Sequence, residues 1–158
     1  MATIMKEMEE LSEVKAMAIE WMYTQGFAPP SLFLVGTKSR MGYTFTALPS
    51  DFSEETQDMV RLDGEVVAKD HQEVGRLVRA YLVTDLRVKA DDQLQKEVLL
   101  IHGVNIADNE QHVIAFEVFR KDEHLSLTQR EVPYPIPEHR ILKSFVKGFN
   151  TYMTNMTN

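Results

Sequence analysis

Apolar residues recur three and four positions apart near the start of the chain, and this period predicts a helix over residues 3 to 25. Gly26 is a typical helix end, and the pair Pro29–Pro30 does not allow the helix to continue. The helix is rich in methionine, which we interpret as flexible core packing, with an adaptable binding surface as the alternative. Its predicted buried stripe is Ile4, Met8, Leu11, Val14, Ala18 and Trp21.

A second helix is predicted from Asp51 to about residue 76. Asp51 and Glu54 resemble a capping box in which aspartate takes the place of serine or threonine. One face of this helix carries small residues, which predicts close packing against a flat partner, here the sheet, because glycine otherwise weakens a helix. A break at Asp63–Gly64, giving two shorter helices, is the alternative. The face consists of Val60, Gly64, Val67, Ala68, His71, Val74, Gly75 and Val78.

A third helix is predicted at the end of the chain. The stretch Pro133 to Pro137 interrupts regular structure, and Pro137 suits the first helical turn. The helix that follows has a predicted apolar stripe of Leu142, Phe145, Val146, Phe149 and Tyr152. Residues 153 to 158 are expected to be disordered.

Alternating and β-rich runs predict strands between these helices. Residues 31 to 37 and 42 to 48 flank the predicted hairpin turn of residues 39 to 42. Residues 79 to 89 alternate cleanly, and residues 96 to 121 predict two strands joined at Asp108–Asn109. That turn sets a register with Glu97 opposite Arg120, an opposite-charge pair. Residues 125 to 132 predict a further edge strand.

The predicted fold class is therefore α+β, with one domain over residues 1 to 158. A single antiparallel sheet of five or six strands is flanked by three helices, in the order α-ββ-α-βββ(β)-α. This element order resembles that of the roadblock and longin group of small domains. The resemblance implies a domain that scaffolds partners or dimerises through sheet edges or helices.

Composition and charge narrow the function classes. The net charge is −7, and residues 51 to 75 hold eight acidic against two basic residues. Such a chain repels phosphate backbones, so nucleic acid is not an expected partner. The acidic run is interpreted as a solvated helix face, with an acidic docking patch as the alternative. There is no cysteine and no apolar run long enough for a membrane span, and a cytoplasmic protein is expected.

The motifs that mark phosphate, metal and nucleophile sites do not occur in the sequence. The candidate ligand-binding residues are His71, His102 and Glu117, which would converge if the second helix covered that face of the sheet. Two imidazoles and a carboxylate can bind zinc or iron, so these three are also the metal ligands if a metal is bound. The alternative is a structural His102, buried and neutral, that donates a hydrogen bond to Glu117 or to the backbone. We favour this structural role and expect no metal or cofactor.

A second candidate surface is the polar side of the strand over residues 79 to 89. Tyr81, Asp85 and Arg87 lie there and could bind a small molecule, with a solvated sheet face as the alternative. His124 and His139 are assigned no role.

Two functions remain open on the sequence alone. The first is a non-enzymatic interaction or regulatory domain, homodimeric, which binds a protein partner or a second copy of itself. The second is a small-molecule-binding protein or metal-dependent enzyme with a pocket between the second helix and the sheet. The missing motifs favour the first.

Overall fold

A computed structural model describes residues 2–49, 51–89, 95–131 and 138–156. The three helices are α1 (Ala2–Gln25), α2 (Glu54–Asp70) and α3 (His139–Met156), and a short 3₁₀ turn (Gln72–Val74) follows α2. The six strands are β1 (Ser31–Gly36), β2 (Arg40–Thr44), β3 (Leu77–Lys89), β4 (Gln95–Asn105), β5 (Glu110–Lys121) and β6 (His124–Arg130).

The strands form one antiparallel sheet in the order β2-β1-β3-β4-β5-β6. This confirms the predicted α+β class, the sheet and the element order. Side chains of α1 pack on one face of the sheet, and those of α2 and α3 belong to the core on the other face. Because both faces are covered, the centre of β4 is a continuous buried run from Leu99 to Val104 rather than an alternating one.

The second helix packs differently from the prediction, which placed its small-residue face on the sheet. A methyl group at Gly64 would lie 2.2 Å from the carbonyl oxygen of Phe145, and one at Gly148 would lie 1.8 Å from that of Arg61. The small residues of α2 therefore meet the backbone of α3, which carries a glycine of its own at the contact. The helix runs without a break through Gly64.

The ends of α2 also differ from the prediction. Ser53 is the N-cap, and its hydroxyl accepts a hydrogen bond from the backbone N–H of Thr56 at 3.2 Å. Asp51 lies outside the helix and accepts hydrogen bonds from the amide and hydroxyl of Ser53. The helix ends at Asp70 rather than near residue 76, because His71 leaves the helical conformation.

The register between β4 and β5 is shifted by two residues from the predicted one. Asn105 pairs with Glu110 across a four-residue turn, where a two-residue turn at Asp108–Asn109 was predicted. Asn109 adopts a positive φ, and Asp108 accepts a hydrogen bond from the amide of Glu110. A shift of two residues leaves every side chain on its predicted face.

The shift means that Glu97 faces Val118 rather than Arg120. Arg120 lies two positions further along and still reaches Glu97 diagonally, with Nε and Nη2 each 2.9 Å from a carboxylate oxygen. In the first hairpin, β2 begins at Arg40, inside the predicted turn, and ends at Thr44.

At the N-terminal end of α1, the buried face is rotated relative to the predicted one. Met8, predicted to be buried, is exposed, while Glu7 and Glu10 are buried against the sheet. Further along, Val14 and Ala18 are buried as predicted.

In α3, residues 153 to 156 continue the helix where disorder was predicted, and the side chain of Met153 is buried. Pro137 and residues 157 and 158 lie outside the described residues.

Candidate functional site

His102 is fully buried on the face of the sheet that α3 covers. Its Nε2 lies 3.2 Å from the side-chain carbonyl oxygen of Gln111, which can only accept, so Nε2 carries the proton. The pKa of His102 is lowered to about 4, mainly by burial and also by the nearby His139, against the opposing effect of the hydrogen bond to Gln111. The predicted burial of His102 is confirmed, but its hydrogen-bond partner is Gln111 rather than Glu117 or the backbone.

The predicted cluster of His71, His102 and Glu117 does not form. Val113 lies opposite His102, and Glu117 lies four residues further along β5, about 13 Å away along a strand. Glu117 instead accepts from Arg130 at 3.2 Å. His71 follows α2 and is half-buried, with its Nδ1 3.3 Å from Glu73. The side chain that does contact His102 is His139, with ring centroids 4.9 Å apart.

The second candidate surface divides into two environments. Tyr81 is buried under α1, and its hydroxyl donates a hydrogen bond to Glu10 at 2.8 Å. Asp85 and Arg87 lie further along β3 and line a cleft of about 600 Å³ at the C-terminal end of α1. Residues 26–30, Phe45, Thr46, Glu97 and Arg120 complete the lining of this cleft.

Two carboxyl groups meet in this cleft. The pKa of Asp85 is raised to about 6, mainly by burial and also by the neighbouring Glu97. The Arg120 guanidinium, through its hydrogen bonds, holds the pKa of Glu97 below its ordinary value despite burial. Asp85 is therefore the carboxyl group of the pair that takes up a proton first as the pH falls. The carboxyl group of Asp85 hydrogen-bonds Glu97 and the backbone of Ala28, and its buried Oδ1 atom has no hydrogen-bond partner among the described residues.

A buried ionic cluster that the sequence analysis did not identify holds α1 on the sheet. Glu10 accepts hydrogen bonds from Nε and Nη2 of Arg79, at 2.6 and 2.9 Å, as well as from Tyr81. Burial acts to raise the pKa of Glu10, but Arg79, Tyr81 and the charge of Arg40 together hold it below its ordinary value. The cluster leaves Glu10 charged and fully paired, which fits a structural role better than a catalytic one.

The outer face of α2 carries exposed apolar side chains. Met59, Leu62 and Val66 are 62%, 52% and 61% exposed and follow one another at spacings of three and four residues, so they form one stripe. The opposite face of the helix is the one that packs on α3. We call these three residues the α2 stripe.

Acidic residues surround the α2 stripe. Glu55 and Asp70 lie beyond its two ends, and Asp58 and Asp63 lie along its sides. Asp58 pairs with Arg61 at 3.9 Å, whereas Glu55, Asp63 and Asp70 make no ion pair within the described part of the chain. Most acidic residues of the run are exposed, as its interpretation as a solvated helix face predicts. The exposed apolar row between them was not predicted.

No family model, no curated protein and no solved structure matches the chain. Among the described residues, none of the three helices has the combination of length and hydropathy that a membrane crossing requires. The cleft and the α2 stripe are therefore the two features that point to a function.

Proposed function

We propose that the protein is a non-enzymatic interaction domain that binds a basic amphipathic helix of a protein partner on the α2 stripe. The observation that carries the proposal is the row of three exposed apolar side chains on a helix whose other face is fully packed. Exposed apolar rows rimmed by polar residues are typical of protein-binding surfaces. A partner helix with apolar residues at three- and four-residue spacing would cover the row.

Charge decides between a different protein and a second copy of this chain on the α2 stripe. Residues 51 to 75 carry a net charge of −6. Two copies docked through this face would bring those charges together, which opposes association. A partner with lysine or arginine around its apolar row would pair with Glu55, Asp63 and Asp70. The expected homodimer is therefore not proposed for this face.

The proposal also includes the protein's location, cofactor and excluded partners. The protein acts in the cytoplasm without a cofactor, and its acidic surface disfavours nucleic acid and anionic membranes as partners. The acidic rim steers a basic partner toward α2 and aligns it, while the apolar row supplies most of the affinity.

A model partner tests the proposal. The probe is a synthetic helical peptide of leucine and lysine, with leucines three and four positions apart, titrated into the full chain by calorimetry. Leu62→Ser should weaken binding about tenfold or more, because the peptide then loses a buried leucine contact. Met8→Ser is the matched control, because Met8 is an equally exposed apolar residue on α1. The same peptide with glutamate in place of lysine should not bind.

Binding of the peptide to Leu62→Ser with wild-type affinity would contradict the proposal, since the acidic surface alone would then account for the interaction. Equal losses in Leu62→Ser and Met8→Ser would contradict it as well.

The cleft supports a second candidate function, the binding of a small polar molecule. The observation that favours it is the carboxyl pair of Asp85 and Glu97, which faces a cavity together with the exposed Arg87. Arg87 would bind an anionic group of the molecule. Titration with succinate should shift the amide resonances of residues 26 to 30, and Arg87→Gln should abolish the shifts. Unchanged resonances at millimolar succinate would contradict this function.

A further inference from the structure

Three side chains with metal-ligating atoms meet at the N-terminal end of α1, away from the cleft and from the α2 stripe. Glu7 extends from α1, and Glu110 and His112 extend from β5 on the same side of the strand. One ligand atom from each lies within 4.8 Å of those of the other two. Glu7 is only 7% exposed, His112 is half-buried, and Glu110 is exposed.

The contact between His112 and Glu7 lacks a hydrogen bond. The Nε2 atom of His112 is buried, has no hydrogen-bond partner among the described residues, and lies 3.6 Å from Oε2 of Glu7. This separation is too long for a hydrogen bond. Two ligand atoms at about 2.1 Å from a tetrahedral metal ion are about 3.4 Å apart. The separation is that of an ion pair with a protonated His112, and it is also close to the spacing of two ligand atoms on one metal ion.

The carboxylate of Glu7 is held in place for such a role. Its other oxygen, Oε1, accepts a hydrogen bond from the side-chain amide of Asn105, which pairs with Glu110 across the hairpin. Outer hydrogen bonds of this kind orient metal ligands. Arg79, the nearby cation, already makes two hydrogen bonds to Glu10. Glu7 is thus a buried carboxylate that no arginine neutralises by direct contact within the described residues.

We propose that Glu7, Glu110 and His112 bind a divalent transition-metal ion, which ties the start of α1 to the β4–β5 hairpin. One imidazole and two carboxylates are ligands that suit zinc, iron or manganese. The exposed position of Glu110 leaves the outer side of the ion open to water. The site is independent of the proposed interaction function, because it lies on a different helix from the α2 stripe.

Calorimetric titration of the full chain, freed of metal with a chelator, with zinc chloride tests the site. The wild type should bind one zinc ion. Glu110→Gln should weaken binding at least tenfold, and this exposed substitution should leave the fold intact. His112→Ala should weaken binding further. His124→Ala and Glu123→Gln are the matched controls. Both residues are exposed where β5 turns into β6, and both variants should bind zinc as the wild type does.

Cobalt gives a second readout that does not depend on stability. Cobalt(II) bound by the wild type should show the visible absorption bands that are typical of a cobalt ion with a low coordination number. These bands should disappear in His112→Ala. A wild type that binds neither zinc nor cobalt would overturn the proposal and leave an ordinary contact between Glu7 and His112. Zinc binding that persists unchanged in both Glu110→Gln and His112→Ala would also overturn it, because the ion would then occupy another site.

Discussion

Glu10 of α1 and Arg79 of β3 form a two-point ion pair, with N–O distances of 2.6 and 2.9 Å, at a position that α1 shields from water. Glu10→Ala should destabilise the fold by about 3 to 5 kcal/mol, because it leaves the Arg79 charge and the Tyr81 hydroxyl without their partner. Urea denaturation measures the loss. Glu9→Ala, at the exposed neighbouring position, is the control and should change stability by less than about 0.5 kcal/mol. Similar midpoints for the two variants would show that the pair contributes little.

Gly148 tests the contact between α2 and α3. In an exposed helix, replacing glycine with alanine stabilises by about 1 kcal/mol. At Gly148 the added methyl group would lie 1.8 Å from the carbonyl oxygen of Arg61, so Gly148→Ala should instead destabilise by about 1 to 3 kcal/mol. Gly42→Ala is the matched control, since its nearest neighbour is 3.9 Å away. A Gly148→Ala protein as stable as the wild type would mean that the helices are further apart.

His102 should make stability fall on acidification. Its folded pKa of about 4 lies below the ordinary value of 6.5, so the unfolded chain takes up the proton first. The contribution is complete above pH 6.5 and is lost as the pH falls toward 4, by about 3 kcal/mol at most. His102→Gln should flatten this part of the stability curve, measured by urea denaturation at successive pH values. Parallel curves for the two proteins would contradict a buried, neutral His102.

Asp85 should make a contribution to stability that increases on acidification, opposite to that of His102. Its pKa of about 6 in the folded protein lies above its ordinary value of 3.8, so the unfolded chain loses the proton first as the pH rises. The contribution of Asp85 to stability should therefore fall as the pH rises from 4 to 6, by on the order of 1 kcal/mol after solvent screening. Asp85→Asn removes this term and should show a steeper loss on acidification than the wild type, because the effect of His102 is then unopposed. An unchanged slope would mean that Asp85 titrates normally.

Local patterns were sufficient to predict the helices, the strands and their order. The alternation of apolar and polar residues predicted which face of the sheet each side chain occupies. A register shift of two residues keeps those faces, so Glu97 and Arg120 are still close enough to pair. The length of the turn at residues 106 to 109 could not be predicted, since it depends on side-chain hydrogen bonds of Asn105 and Asp108 within the turn.

The candidate sites depend on tertiary contacts and were harder to predict. Tyr81, Asp85 and Arg87 were selected as one surface, but α1 covers the first and leaves the other two in a cleft. Glu7 and Glu10 were missed because glutamates on a helix are usually solvated. Their spacing of three residues, continued by Val14 and Ala18 at four, was the signal that they share the buried face.

The docking of a basic helix on the α2 stripe is tested most directly by mapping where the leucine–lysine peptide binds. Amide chemical shifts of the isotope-labelled full chain, recorded during titration, report the contact residue by residue. We expect the largest changes on residues 55 to 70, centred on Met59, Leu62 and Val66, and we expect Leu62→Ser to remove them. Changes centred on α1, on the cleft at residues 26 to 30 or on the edge strands, with α2 unaffected, would contradict it.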